Sequence, residues 1–242
     1  MTIDEIALAD EPSRWEALGF AVSGSVVQLG RVRVALAGRR AGQGMLGWSL
    51  RGLATTDLDG LPTTASEQPV LPAVPEHPNG VVAIDHVVAM SPDLDRSVRA
   101  LREAGLDLRR IREQPTPAGA PRQAFFRLGE LILEVVQEPK EAIERRADDT
   151  NGPARFWGLA LLADDLDRTV GALAEQSSEI RPAVQTGRRI ATLRRSALIN
   201  SSANPSLAQS RDSFRQVCSI DLDGRRPSYR ATTFRGINAR FK

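Results

Sequence analysis

The sequence is short of the residues that most metal clusters and redox centres need. One cysteine, Cys218, stands in 242 residues, so no disulfide can close within the chain and no zinc site can be built from several thiolates. Two histidines, His77 and His86, leave little room for a Ser-His-Asp triad, and no G-x-S-x-G elbow occurs. No apolar run approaches the roughly 20 residues of a membrane span. Residues 1–10 carry three acids and no base, unlike a secretory leader, and the expected location is the cytoplasm. Lysine is almost missing: Lys140 and Lys242 are the only two, and arginine supplies the remaining positive charge.

That charge is uneven. Residues 187–242 carry a net +9, and residues 1–186 a net −7. A protein that grips phosphates more often carries its basic patch on the folded body, so nucleic acid is not the expected partner, and neither is a membrane. Five prolines, Pro62, Pro69, Pro72, Pro75 and Pro78, crowd residues 60–80. Proline fixes φ and removes an amide donor, so this segment reads as a linker, with His77 solvated within it.

Beyond the linker the chain repeats itself. Ser91-Pro92-Asp93-Leu94-Asp95-Arg96-Ser97-Val98 returns further along as Ala163-Asp164-Asp165-Leu166-Asp167-Arg168-Thr169-Val170, and Ala-Leu follows at matching places, Ala100-Leu101 and Ala172-Leu173. In the first copy, residues 81–90 are β-branched and apolar, which predicts a buried strand. Ser91 or Asp93 caps a helix whose apolar face is Leu94, Val98 and Leu101, and Gly105 stops it. Strands over 108–113, 123–128 and 131–137 follow, the last two joined by a turn at Gly129-Glu130. The second copy predicts a strand over 156–162, a helix over 165–174, and strands over 180–184 and 189–193. No fourth strand is evident there. Residues 1–59 read as a shorter third copy: Ile3-Asp4-Glu5-Ile6 parallels Ile84-Asp85-His86-Val87. A helix over 12–18 and strands over 25–29, 32–36 and 45–50 follow it. The match of Gly42 to Gly47 to G-x-G-x-x-G lacks the following helix and reads as a hairpin loop.

The order strand, helix, strand, strand, strand, with Ile84-Asp85-His86-Val87-Val88 at its start and Arg122 to Val136 at its end, resembles a module of the glyoxalase/bleomycin-resistance/extradiol-dioxygenase (vicinal oxygen chelate) superfamily. The resemblance implies an α+β fold of repeated βαβββ modules whose curved sheets form a cup with helices outside. It divides the chain into a degenerate module (1–59), the proline-rich linker (60–80), a full module (81–138), an incomplete module (154–198) and a basic tail (199–242), either disordered or carrying a replaced ending. It also implies metal ligands on the first and last strands of a module, here His86 and Glu134, with Glu5 as a third from the N-terminal copy. Such a set suits Fe, Mn, Ni or Zn. Strand alternation then places Ile84 and Val88 with His86, and Ile132 and Val136 with Glu134. Trp48 falls near the position of Glu134 in the N-terminal copy. Arg122, Phe126 and Trp157 are candidates to line the substrate pocket. At the offset of the repeat Gly158 replaces His86, so the second copy offers no ligand there.

Two functions stay open. One is a metal-dependent lyase, isomerase or dioxygenase acting on a small oxygenated metabolite. The other is a metal-free protein that sequesters a small or drug-like molecule. A partner protein without a small ligand is a third reading, and a homodimer is expected by analogy.

Overall fold

The computed structural model describes residues 1–74, 76–115, 121–145, 151–183, 188–193 and 219–222. The central module begins with β6 (Val81–Ser91) and α2 (Leu94–Glu103). The Asp93 carboxylate caps α2 by accepting from the Arg96 amide at 2.9 Å, and Leu94, Val98 and Leu101 are buried beneath it. Then come β7 (Asp107–Arg112), β8 (Gln123–Leu128) and β9 (Leu131–Gln137). A short helix, α3 (Lys140–Arg145), leads to the second module: β10 (Arg155–Ala163), α4 (Leu166–Leu173), β11 (Arg181–Pro182), β12 (Arg189–Thr192) and β13 (Ser219–Leu222). Asp165 caps α4 as Asp93 caps α2, accepting from Arg168 at 3.0 Å, so the sequence repeat is also a repeat of structure.

These eight strands form one sheet in the order β11-β12-β13-β10-β6-β9-β8-β7. The two first strands lie side by side and antiparallel, and each has its own last strand as a parallel neighbour on the outer side. The fourth strand of the second module therefore exists. It lies at Ser219–Leu222, inside the expected tail, because its short mixed sequence gives no apolar run to recognise. The rest of the tail lies outside the described residues.

The offset of the sequence repeat is also the register of the sheet. Val87 pairs with Leu159, its own counterpart in the repeat, and a pseudo-twofold axis passes through that pair; Val88–Gly158 and His86–Ala160 are related across it. Two of the three irregularities in this ladder obey the same axis. Asp85 is skipped in the pairing of β6, and its counterpart Trp157 is skipped in β10. Each is a β-bulge.

The N-terminal sheet contains β1 (Thr2–Leu8), β2 (Val26–Leu29), β3 (Val32–Leu36), β4 (Met45–Arg51) and β5 (Thr63–Ala65), with α1 (Pro12–Ala17) after β1. Its order, β2-β3-β1-β4-β5, reproduces β8-β9-β6-β10-β13 with the same parallel and antiparallel relations. The axis passes here through Ile6–Trp48, and bulges at Asp4 and Leu46 occupy the places of Asp85 and Trp157. Strand β4 is thus the counterpart of β10, not the last strand of the first module. Ala35, in register with Ala7, takes the position of Glu134, and Trp48 takes that of Leu159.

The sheets share one apolar core, in which the Trp48 and Phe156 rings meet edge-on with centroids 5.0 Å apart. A polar clasp joins them. The Asp59 carboxylate accepts from Arg96 Nε at 2.7 Å and from the Ser97 hydroxyl, and the Asp59 carbonyl accepts from the Ala154 amide at 2.8 Å. Much of the proline-rich segment is exposed, but His77, Asn79 and Gly80 at its end are buried. His77 is 5 % exposed, not solvated. The Ala21 amide donates to His77 Nδ1 at 3.0 Å, so the proton of the neutral ring sits on Nε2 and is donated to the Gln28 carbonyl at 3.0 Å. Burial holds this imidazole below its ordinary pKa.

Candidate functional site in the eight-stranded sheet

Strand alternation assigns the two faces of this sheet. Ala124, Phe126 and Leu128 of β8, with Leu133 and Val135 of β9, belong to the apolar core. Gln123, Phe125 and Arg127 therefore share the opposite face with Ile132 and Glu134. One row of register partners runs Arg110, Phe125, Glu134, Val88, Gly158. A neighbouring row runs Arg127, Ile132, His86, Ala160, Ser219. The central module fills its half of this face with His86 and Glu134, and the second module sets glycine and alanine opposite them.

The bulge in β6 changes which side chains meet. Uninterrupted alternation would put Ile84 beside His86. Instead Ile84 is buried in the core, and Asp85 turns to the same face as His86. Val88, Ile132 and Val136 lie outside the core cluster, as alternation requires.

The His86 ring nitrogens each face a carboxylate. Nδ1 lies 2.9 Å from Asp85 Oδ2, and Nε2 lies 3.5 Å from Glu134 Oε2. An ionised carboxylate only accepts, so Nδ1 carries a proton and donates it to Asp85. The other Asp85 oxygen, Oδ1, accepts from Arg188 Nη2 at 3.2 Å, and the Gln123 amide donates to Glu134 Oε1. The side chains of His86, Glu134 and Asp85 keep 26 %, 16 % and 22 % of their exposure, enough to be reached by a small molecule.

Burial pulls the His86 pKa down, and the hydrogen bond to Asp85 with the charges of Glu134 and Asp85 outweighs it, leaving the pKa above its ordinary value. Burial pushes the Glu134 carboxyl up, against the opposing pull of His86 and Arg112. Burial acts upward on Asp85 too, but His86 and Arg188 hold it below the usual carboxylate range. With Nδ1 committed to Asp85, a neutral ring would aim a lone pair at an ionised Glu134. One positive charge belongs in that gap: a proton on either partner, or a cation.

The other expected residues fall elsewhere. Glu5 does occupy the place of His86, but on the N-terminal sheet. It is paired with Arg33 at 3.4 Å and lines a separate cleft of about 460 Å³ with Gly47, Ser49 and Thr64. Phe126 is 0 % exposed in the core; its neighbour Phe125 is the ring on the site face, with the Arg110 guanidinium 5.3 Å from its centroid. Arg122 is held by Glu113 at 2.7 Å and Asp95 at 3.0 Å. Trp157 is half-buried at the β10 bulge. Asp85, Gln123 and Arg188 were not read as site residues. The repeated Ile-Asp dipeptide was the available signal for Asp85; Arg188, far along the chain in the second module, had none.

His86 and Glu134 converge as two metal ligands would, and the Asp85–Nδ1 bond is the outer-shell contact that orients a ligating histidine. A catalytic centre draws on about three protein ligands. Glu5 does not join the pair, Gly158 and Ala160 offer no donor side chain, and among the described residues no group of three or more His, Cys, Asp or Glu is placed to hold a metal. The residues fit a two-ligand hold and not a three-ligand centre. No helix among the described residues is long and apolar enough to cross a membrane.

Two βαβββ modules joined at their first strands into a single curved sheet constitute the glyoxalase-like, vicinal-oxygen-chelate fold, and this chain has that fold. It resembles a 4-hydroxymandelate synthase mutant from Streptomyces coelicolor (TM-score 0.55, 13 % identity, 91 % of each chain). It also resembles a xylose isomerase-like TIM barrel/4-hydroxyphenylpyruvate dioxygenase fusion protein (TM-score 0.57, 13 % identity), covering 91 % of this chain and 48 % of that one. The chain thus spans about half the length of the fusion protein. Methylmalonyl-CoA epimerase from Mycobacterium tuberculosis aligns over 59 % of this chain and 87 % of its own, with TM-score 0.40 and 16 % identity. No protein-family model and no curated protein matches the chain. At such identities the likeness establishes the fold, and the reaction has to be argued from the site.

Proposed function

We propose that the protein binds a small oxygenated molecule on the His86 face of the eight-stranded sheet, with His86 and Glu134 as the acid–base pair that meets it. The observation that carries this reading is the 3.5 Å gap between His86 Nε2 and Glu134 Oε2, on a face where the first strand of the second module sets Gly158 and Ala160 opposite the pair. The pair shares one proton and can give it to, or take it from, a ligand oxygen. Arg110, Arg112 and Arg127 share the face by strand register, with Asp107 opposite Arg127, and the excess of arginine along this edge favours a ligand with partial or full negative charge. Catalysis of a lyase, isomerase or dioxygenase type extends this reading, and sequestration without turnover is the simpler form of it.

A second reading, a divalent metal held by His86 and Glu134, is favoured by the Asp85 bond that leaves Nε2 free of a proton in the neutral ring. The donor set of one imidazole and one carboxylate suits Fe, Mn, Ni or Zn. Elemental analysis and ligand-detected NMR with pyruvate and catechol, on wild type, His86→Ala and Glu134→Gln, test both. Binding of either probe that is lost in the two variants, in metal-free protein, supports the acid–base pair. Stoichiometric metal lost in His86→Ala supports the second reading. Probe binding untouched by both variants refutes the assignment of the site.

A further inference from the structure

We infer that Asp85 is the positioning residue for His86, and that the second module enters the site through Arg188, which holds Asp85 in place. The inference rests on the reading of His86 as the ligand-facing group, but the geometry that supports it is independent of any ligand. Asp85 and His86 are consecutive in a strand, and consecutive strand residues normally face opposite sides. Only the bulge at Asp85 lets the carboxylate reach its neighbour's Nδ1 at 2.9 Å.

Both Asp85 oxygens are used once. Oδ2 accepts from His86, and Oδ1 accepts from Arg188 at 3.2 Å. Two partners on two sides fix the plane of the carboxylate, which in turn fixes the imidazole. An unheld imidazole turns through a broad χ2 well and exchanges its proton between the two nitrogens. Held by Asp85, it keeps Nδ1–H and points the bare Nε2 at Glu134 and the ligand face.

The N-terminal sheet supplies a separate observation. Asp4 sits at the equivalent bulge and also takes arginines, Arg33 Nη2 at 2.6 Å and Arg51 Nη2. The bulge aspartate with a captured guanidinium is thus a repeated arrangement. On the N-terminal sheet the next residue is Glu5, with no imidazole to orient. In the eight-stranded sheet His86 follows, and the same arrangement orients a ring. The second module, which has Gly158 at the place of His86, contributes by this other route.

The test is a long-range ¹⁵N–¹H correlation spectrum of the full-length, ligand-free protein, taken at a pH high enough to keep both imidazoles neutral. With two histidines the assignment needs one variant, and His77, locked as Nε2–H, is the internal control. Wild-type His86 is expected as Nδ1–H. Asp85→Ala is expected to lose that state for a mixture rich in Nε2–H, and Asp85→Asn to lose it too, because Arg188 claims the one amide oxygen and leaves the NH2 group, a donor, facing Nδ1. Arg188→Met, next to the short strand β12, gives a partial mixture and keeps the test open should Asp85→Ala fail to fold. A His86 ring that is Nε2–H in wild type, or that stays wholly Nδ1–H in Asp85→Ala and Arg188→Met, overturns the inference. Failure of the proposed function would show instead in the probe titrations, with these spectra unchanged.

Discussion

Replacing Asp59 by alanine removes the centre of the clasp between the two sheets. The carboxylate accepts from Arg96 Nε at 2.7 Å, from Arg96 Nη2 at 3.3 Å and from the Ser97 hydroxyl, and its side chain is 8 % exposed. Hydrogen bonds to charged groups contribute about 1.5–3 kcal/mol each when buried. Arg96 retains the Asn151 and Gly152 carbonyls as acceptors and is 27 % exposed, so it recovers part of that loss from water. Ser97 keeps its bond to the Ser91 hydroxyl at 2.7 Å. Asp59 also sits at φ 55°, where a Cβ-bearing residue without a local hydrogen bond is strained by about 1 kcal/mol. The sum for Asp59→Ala is a loss of about 2–4 kcal/mol. Asp59→Asn keeps the shape and tolerates the left-handed backbone, and should lose about 1–2 kcal/mol. Asp59→Gly relieves the backbone and loses the whole side chain, and should fall between them. Urea denaturation read by tryptophan fluorescence gives the three differences from the midpoint and slope. A cost below about 0.5 kcal/mol for alanine, or asparagine costing as much as alanine, would refute the account of the clasp.

Three further outcomes follow from the same structure. Phe126→Ala should cost about 3–5 kcal/mol in denaturant melts, and Phe125→Ala much less, because only Phe126 fills the core; equal costs would contradict the assignment of faces. His77 has its pKa lowered by folding, so its favourable contribution is present above the unfolded pKa and is lost as pH falls through the folded one; a His77→Gln variant with unaltered acid sensitivity would count against this. His86 has its pKa raised, so its contribution is present below the unfolded value of about 6.5 and is lost as pH rises through the folded value. An NMR titration should show that pKa falling in Glu134→Gln, and a rise there would sink the electrostatic reading of the pair.

The module order was legible because it is written twice, and the capping aspartates Asp93 and Asp165 mark the same turn in each copy. The pairing of His86 with Glu134 was legible through the resemblance alone. The orientation of Ile84 and Asp85 was hidden, since a bulge inserts one residue into a period of two and leaves no compositional trace. Phe126 was misplaced for a related reason: Phe125 and Phe126 are adjacent, and only the register with Glu134 and Leu133 tells which ring faces the core. His77 looked solvated because proline density describes the backbone and not what a ring can reach. Strand β13 was missed because Ser219 to Leu222 is too short to show a period, and its partners β12 and β10 stand well upstream in the sequence.

The N-terminal sheet is the smaller of the two. It has the two antiparallel strands at the symmetry axis, each with its parallel companion, and among the described residues it lacks counterparts of the outermost strands and of one of the two helices. The crease where the halves meet is therefore what the two sheets have in common, and the flanks differ in extent around it.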